Sequence, residues 1–421
     1  MKRLICGLLL LCLLLAGCAE EALPQKEEDH RTKDTLGSVY LSGNVKKEAP
    51  IVTAIVRPYH GMMTDLSVRL LQESLLAEED RENLLISPLS VLYALGMVSD
   101  GADDTESVKA FWGNLDQLHI NEFFYEYANS LPRGEKVQVT LANSVWFKDE
   151  ESFTVDENFL HTMVNYYGAD IYKAPFDDQT RKDINRWSEI ATKGMVKDVV
   201  DRIPENSVMY LVNALAFEGE WETPYTKDQQ REGVFTAADG SRQTCDFLYG
   251  CEDTYLEDDL AVGFTKPYDF RGYGYEFVAL VPKDGVTVEE YVASLTGESL
   301  RETLNGKSGY AAITSMPVFE TEYDVDMKDV LRSIGYPVDG TFNGVGSSTE
   351  GDIVMTRVLH KTFIRVDAKG TKAGAVTSVE MGAGGMPTFV EVDLDRPFVY
   401  MIVEEQHKVP LFIGVMKDLE E

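Results

Sequence analysis

Patterns that would support covalent, phosphate or metal chemistry each break in this 421-residue sequence. GKSG at Gly306 to Gly309 has the tail of a phosphate-cradling loop, but Arg301 stands where its first glycine belongs. GYGYEF at Gly272 to Phe277 lacks the third glycine of a dinucleotide-binding turn, and G-x-S-x-G, H-E-x-x-H and C-x-x-C are absent. The six histidines are scattered singly along the chain. Catalytic triads assemble across distant positions, so these gaps lower the expectation of an enzyme without closing it. An envelope hydrolase is the third-ranked reading, and no metal or cofactor is called for.

Substrate chemistry is better served by GTKAGAVTSVEMGAGGMP, residues 370 to 387. Every second residue from Thr371 is small or apolar: Thr371, Ala373, Ala375, Thr377, Val379 and Met381. Lys372 and Glu380 fall in the other set. Strand side chains alternate between faces, so the segment can join a sheet with a compact inner face and both charges outward. Its tail, Gly382 to Gly385, offers little to pack and much backbone freedom, which suits an exposed bait. Taken alone, an ordinary edge strand followed by a loop is the plainer reading. The elements that must hold such a bait are also legible. Leu89, Leu92, Leu95 and Val98 recur at helical spacing, while Val137, Val139, Leu141, Asn143, Val145 and Phe147 alternate as a strand. Helical and strand patterns interleave along the chain without an internal repeat.

Flanking the bait are VLHKTFIRVDAKGT (358 to 371), DRPFVYMIVE (395 to 404) and PLFIGVMKD (410 to 418). NLLISPLSVLYALGMVSDGA from Asn83, LANSVWF from Leu141, VNALAFEGEW from Val212 and MPVFETEYDVDMKDVLRSIG from Met316 run through the rest. These blocks resemble the serpin signature and are collinear with that family from about Ala54 onward. The resemblance implies an α+β fold: one large domain with three β-sheets, surrounding helices and an exposed reactive-centre loop. It also implies a suicide-substrate inhibitor of serine proteases, with cysteine proteases an open extension. The protease cuts the loop, forms an acyl enzyme, and is trapped when the freed arm inserts into the central sheet.

The same resemblance assigns a hinge to Gly370, Thr371, Lys372, Ala373, Gly374 and Ala375. Lys372 and Ala368 stand where the family usually carries acidic residues, which places the speed of insertion in question. Ser87, Ser90, Asn213 and His360 match a buried polar cluster beneath the parting strands, and Trp221 matches the aromatic where insertion begins. Counting from Gly370 places the cut after Gly384, before Gly385. Counting back from Pro397 reaches Met386, but Pro387 makes that bond a poor substrate. Ala383 is the next choice. Small residues there suit elastase-like or subtilisin-like proteases. A non-inhibitory serpin, acting as a cleavable binding module, is the rival that keeps the fold.

Lys2 and Arg3 precede a leucine-rich run ending in LAGC at Cys18. That is an export signal over 1 to 17, too short to span a bilayer. LAGC resembles the bacterial lipobox and implies lipid on Cys18, hence a cell-envelope lipoprotein facing the exterior or the periplasm. Ala19 to about Ala49 is too polar to fold alone, so 18 to 53 reads as a tether and 54 to 421 as the domain. The formal charge of −32 argues against nucleic acid and anionic surfaces as partners. A monomer is expected. Cys245 and Cys251 flank DFLYG, whose glycine permits a turn; a small-loop disulfide and two free buried thiols are both open.

Overall fold

VNALAFEGE and the alternation from Val137 write two long strands, and these pair residue for residue, from Val137 opposite Gly219 to Phe147 opposite Met209. A computed structural model describes residues 37–52, 59–77, 83–307, 309–371 and 387–419. In chain order its first strands are β1 (Val39–Tyr40), β2 (Leu84–Ile86), β3 (Val137–Lys148), β4 (Phe153–Val155), β5 (Asp170–Ala174) and β6 (Met209–Glu220). There follow β7 (Gln230–Thr236), β8 (Arg242–Glu252), β9 (Thr254–Glu257), β10 (Ala261–Pro267), β11 (Tyr275–Pro282), β12 (Tyr310–Pro317) and β13 (Phe319–Asp326). The last are β14 (Gly346–Ser348), β15 (Leu359–Asp367), β16 (Gly370–Thr371), β17 (Thr388–Asp393), β18 (Phe398–Glu404) and β19 (Val409–Met416). Helices that matter here are α1 (Tyr59–Ala77), α2 (Pro88–Ser99), α3 (Thr105–Phe111), α4 (Gln117–Ser130), α5 (Glu157–Tyr167) and α6 (Asp178–Ala191).

Among the described residues the strands form a seven-stranded sheet, β1-β5-β3-β6-β16-β15-β13, a six-stranded sheet, β2-β19-β18-β11-β10-β9, and a four-stranded sheet, β17-β12-β8-β7. A small β14–β4 pair joins the three sheets that the sequence led us to expect. Strands β18 and β19 are buried along their whole length, as their continuous apolar runs require when both faces are covered. Helix α2 is buried on nearly every side and lies between β6 and β19. Its start is set by Ser87, whose side chain accepts the Ser90 amide proton, and by Pro88 in the first turn, where a missing amide proton costs nothing. On the other face of the central sheet, Trp146, Tyr172 and Val212 pack with Ile184 and Trp187 of α6 in a second cluster. No described helix is long and apolar enough to cross a membrane.

Residues ahead of the expected domain boundary at 54 also pack on the central sheet. Val39 and Tyr40 add to the free edge of β5, the Leu41 amide donates to the Ile171 carbonyl, and the Ser42 hydroxyl oxygen accepts from the Ile171 amide at 2.7 Å. Ser38 donates to Asp183 of α6, and the Tyr40 and Tyr172 rings meet edge to face. By composition this stretch reads as part of the polar tether. An edge strand needs backbone groups more than apolar side chains, so two residues can dock without an alternating pattern.

Candidate functional site

Strand β16 sits between β6 and β15, antiparallel to both: Gly370 faces Glu220 and Asp367, and Thr371 faces Gly219 and Val366. Gly370 has φ of 152°, and a Cβ there would lie 2.0 Å from the Gly219 carbonyl oxygen, so only glycine fits. Thr371 is 3% exposed, and its hydroxyl lies 2.7 Å from that of Tyr268. Further down, no ladder among the described residues joins β6 to β15. A cavity of about 350 Å³ lies there instead, lined by 209–213, 359–361 and the apolar Ala94, Leu95 and Val98 of α2.

The residues just before β16 are held through their carbonyls. The Trp221 amide donates to Lys369 at 2.9 Å, its indole Nε1 to Asp367 at 2.9 Å, and the Tyr225 amide to Ala368 at 2.8 Å. Trp221 in turn stacks on Tyr268 with centroids 4.6 Å apart. Ala368 is thus gripped by its backbone, a hold that an acidic side chain would not replace.

Ser87, Ser90, Asn213 and His360 come together at the α2 N-terminus. The Ser87 amide donates to His360 Nε2 at 3.0 Å, which ties β15 to the helix. The Ser90 hydroxyl donates to Asn213 Oδ1, which ties β6 to the same turn. The Ser87 hydroxyl donates to the Leu411 carbonyl at 2.8 Å. His360 is fully enclosed, and desolvation lowers its pKa to about 4, so it is neutral at pH 7 and accepts the Ser87 proton. The network also runs further than the sequence indicated. Asn213 Nδ2 donates to Asn143 Oδ1, Asn143 Nδ2 to the Tyr167 carbonyl, and the Tyr167 hydroxyl to Asn121 Oδ1, each at 2.7 Å. Asn143 interrupts an otherwise apolar alternation, and that was the available signal.

Cys245 and Cys251 do not form a disulfide; both thiols are free. They lie on one strand, β8, six residues apart, so their Cα atoms are about 20 Å from each other, far beyond disulfide reach. The glycine between them, Gly250, continues the strand instead of turning it, because it is paired opposite Thr314 of β12. Burial is also incomplete, since Cys251 is exposed. Cys18, Lys372, Ala373, Gly374, Ala375, Ala383, Gly384, Gly385 and Met386 lie outside the described residues. No cluster of three metal-ligating side chains occurs among the described residues.

The family model described as Serpin (serine protease inhibitor) matches residues 62–419. Human neuroserpin is 26% identical over 373 residues, covering 84% of this chain and 90% of its own. An uncharacterized serpin-like protein of Methanosarcina mazei is 26% identical over 427 residues, covering 96% of this chain and 95% of its own. The crystal structure of the thermophilic serpin tengpin in its native state superposes with a TM-score of 0.83 at 38% identity, over 91% of this chain and all of that one. Its latent state gives 0.76 at 39% identity, over 88% of this chain and all of that one. Gly370 and Thr371 seated between β6 and β15 and a family match over residues 62–419 agree: the chain belongs to the serpin family.

Proposed function

We propose that this serpin inhibits serine proteases as a suicide substrate and is carried on a bacterial envelope by lipid on Cys18, with the following residues as a spacer. The carrying observation is β16, two hinge residues already in strand position above an unfilled slot. An inserted arm continuing the register in which 371 faces 219 would set 381 opposite 209, the first residue of β6. A cut between Gly384 and Gly385 therefore frees an arm long enough to line β6 from end to end. Positions 373, 375, 377, 379 and 381 would follow Thr371 onto its buried face, and all are small or apolar. Lys372 would fall on the opposite face, across from Glu218, where its charge would stay in water. The inserted arm gains backbone hydrogen bonds worth about 1 kcal/mol net each, which favours the closed sheet over the open one.

Small residues around 384 suit elastase-like or subtilisin-like enzymes. Incubation with such a protease should give a complex that survives denaturing electrophoresis and a released fragment beginning at Gly385. Clean cleavage with protease activity intact would make the protein a cleavable binding module instead. Independently, a sample nicked in the loop should unfold about 10 °C or more above the intact protein. Equal unfolding temperatures would mean that cutting unlocks no deeper minimum, and the inhibitory reading would fail.

A further inference from the structure

Beneath the top of the slot lies a deeply buried ion pair. Glu252 ends β8 of the four-stranded sheet and Lys266 sits on β10 of the six-stranded sheet; Nζ and Oε1 are 2.8 Å apart, and the side chains are 8% and 4% exposed. Lys266 Nζ also stands 4.4 Å from the Tyr225 ring centroid and 5.6 Å from that of Trp221. The Tyr225 hydroxyl reaches the same Glu252 oxygen at 3.4 Å. The surroundings are tight: a Cβ on Gly250 would come within 3.0 Å of the Tyr225 ring and 3.3 Å of Glu252 Oε1.

A well-packed apolar pair would be as stable in this position or more so, because two desolvated charges barely repay their lost hydration. What a cation adds is direction. It draws ring faces toward itself, and the attraction is strongest away from water. The two rings it draws belong to the residues whose N–H groups grip the carbonyls of Asp367, Ala368 and Lys369. A continuous line of contacts thus runs from Glu252 through Lys266 to the base of the hinge, joining all three large sheets.

We infer that Lys266, anchored by Glu252, is a positioning residue for loop insertion: it holds Trp221 and Tyr225 so that their three N–H groups restrain the hinge until the loop is cut. The consequence for inhibition rests on the function proposed above, whereas the hold on the hinge does not. In the full chain, Lys266→Met should speed hydrogen exchange of the Trp221 and Tyr225 amides and the Trp221 indole about tenfold. Spontaneous conversion of the intact protein to a heat-resistant, loop-inserted form should accelerate by a similar factor. Lys266→Arg should restore both, since a guanidinium can pair with the carboxylate and stack on the rings.

Exchange at Trp221 and Tyr225 equal to that of the parent, or raised no more than across β18 and β19, would overturn the inference, because a merely structural lysine would loosen the whole core. Should Lys266→Met not fold, Glu252→Gln keeps the volume and an acceptor, and its exchange should rise at the same three protons; no rise there also overturns it. A parent protein that forms no covalent complex, combined with local acceleration in Lys266→Met, would refute the inhibitory function and support the positioning role. A complex combined with unchanged exchange would do the reverse.

Discussion

Thr371→Arg should turn the proposed inhibitor into a substrate. Thr371 already occupies the sheet, with its hydroxyl against Tyr268 and its side chain 3% exposed. The neighbouring Gly219 leaves no spare room, because even a Cβ at that position would lie 2.6 Å from the Tyr268 ring. Tyr268 stacks on Trp221, and burial raises its hydroxyl pKa far above the usual range, so it cannot supply a negative partner near neutral pH. An arginine at 371 must either carry an unpaired charge into this apolar place, at several kcal/mol, or hold the hinge outside. The second course leaves the arm unable to start its insertion. With an elastase-like protease the covalent complex should fall more than about tenfold while cleavage of the loop persists. Unchanged complex formation by this variant would show that insertion does not begin at Thr371.

Acid should loosen the slot through His360. In the folded protein burial lowers its pKa from 6.5 to about 4, whereas in the unfolded chain it titrates normally. The unfolded state therefore binds more protons between these values. The stability contributed by the neutral ring is fully present above pH 6.5 and is lost as pH falls toward 4, amounting to about 3 kcal/mol. Protonation also removes the acceptor for the Ser87 amide, the bond that ties β15 to α2. Wild-type protein should thus lose its native state at progressively lower urea concentrations from pH 6.5 to pH 4. His360→Gln, which keeps an acceptor but does not titrate, should lose much less over that range. Equal pH slopes in the two proteins would remove His360 from the mechanism.

Local periodicity made β3 and α2 readable, because alternation and helical spacing depend only on where successive side chains point. Ser87, Ser90, Asn213 and His360 stood out as polar residues in apolar surroundings matching a known family. Asn143 belonged to the same network and was visible only as a strand residue. Its partner is assigned by the β3–β6 register, in which Asn143 faces Asn213. The spacing of Cys245 and Cys251 suggested a turn that the neighbours of β8 overrule.

From sequence alone came the α+β class, the serpin relationship, the bait segment with its small inner face, and the polar residues beneath the sheet. Only the tertiary structure showed that β16 is already seated between β6 and β15, and that the N-terminal strand docks on β5. The Glu252–Lys266 pair beneath Trp221 and the stacking of His60 on His407 at 3.7 Å likewise have no local signal. Side-chain patterning is local and survives in any single stretch of chain. Which distant groups meet is decided by the packing of three sheets against one another, and no spacing along the sequence encodes that.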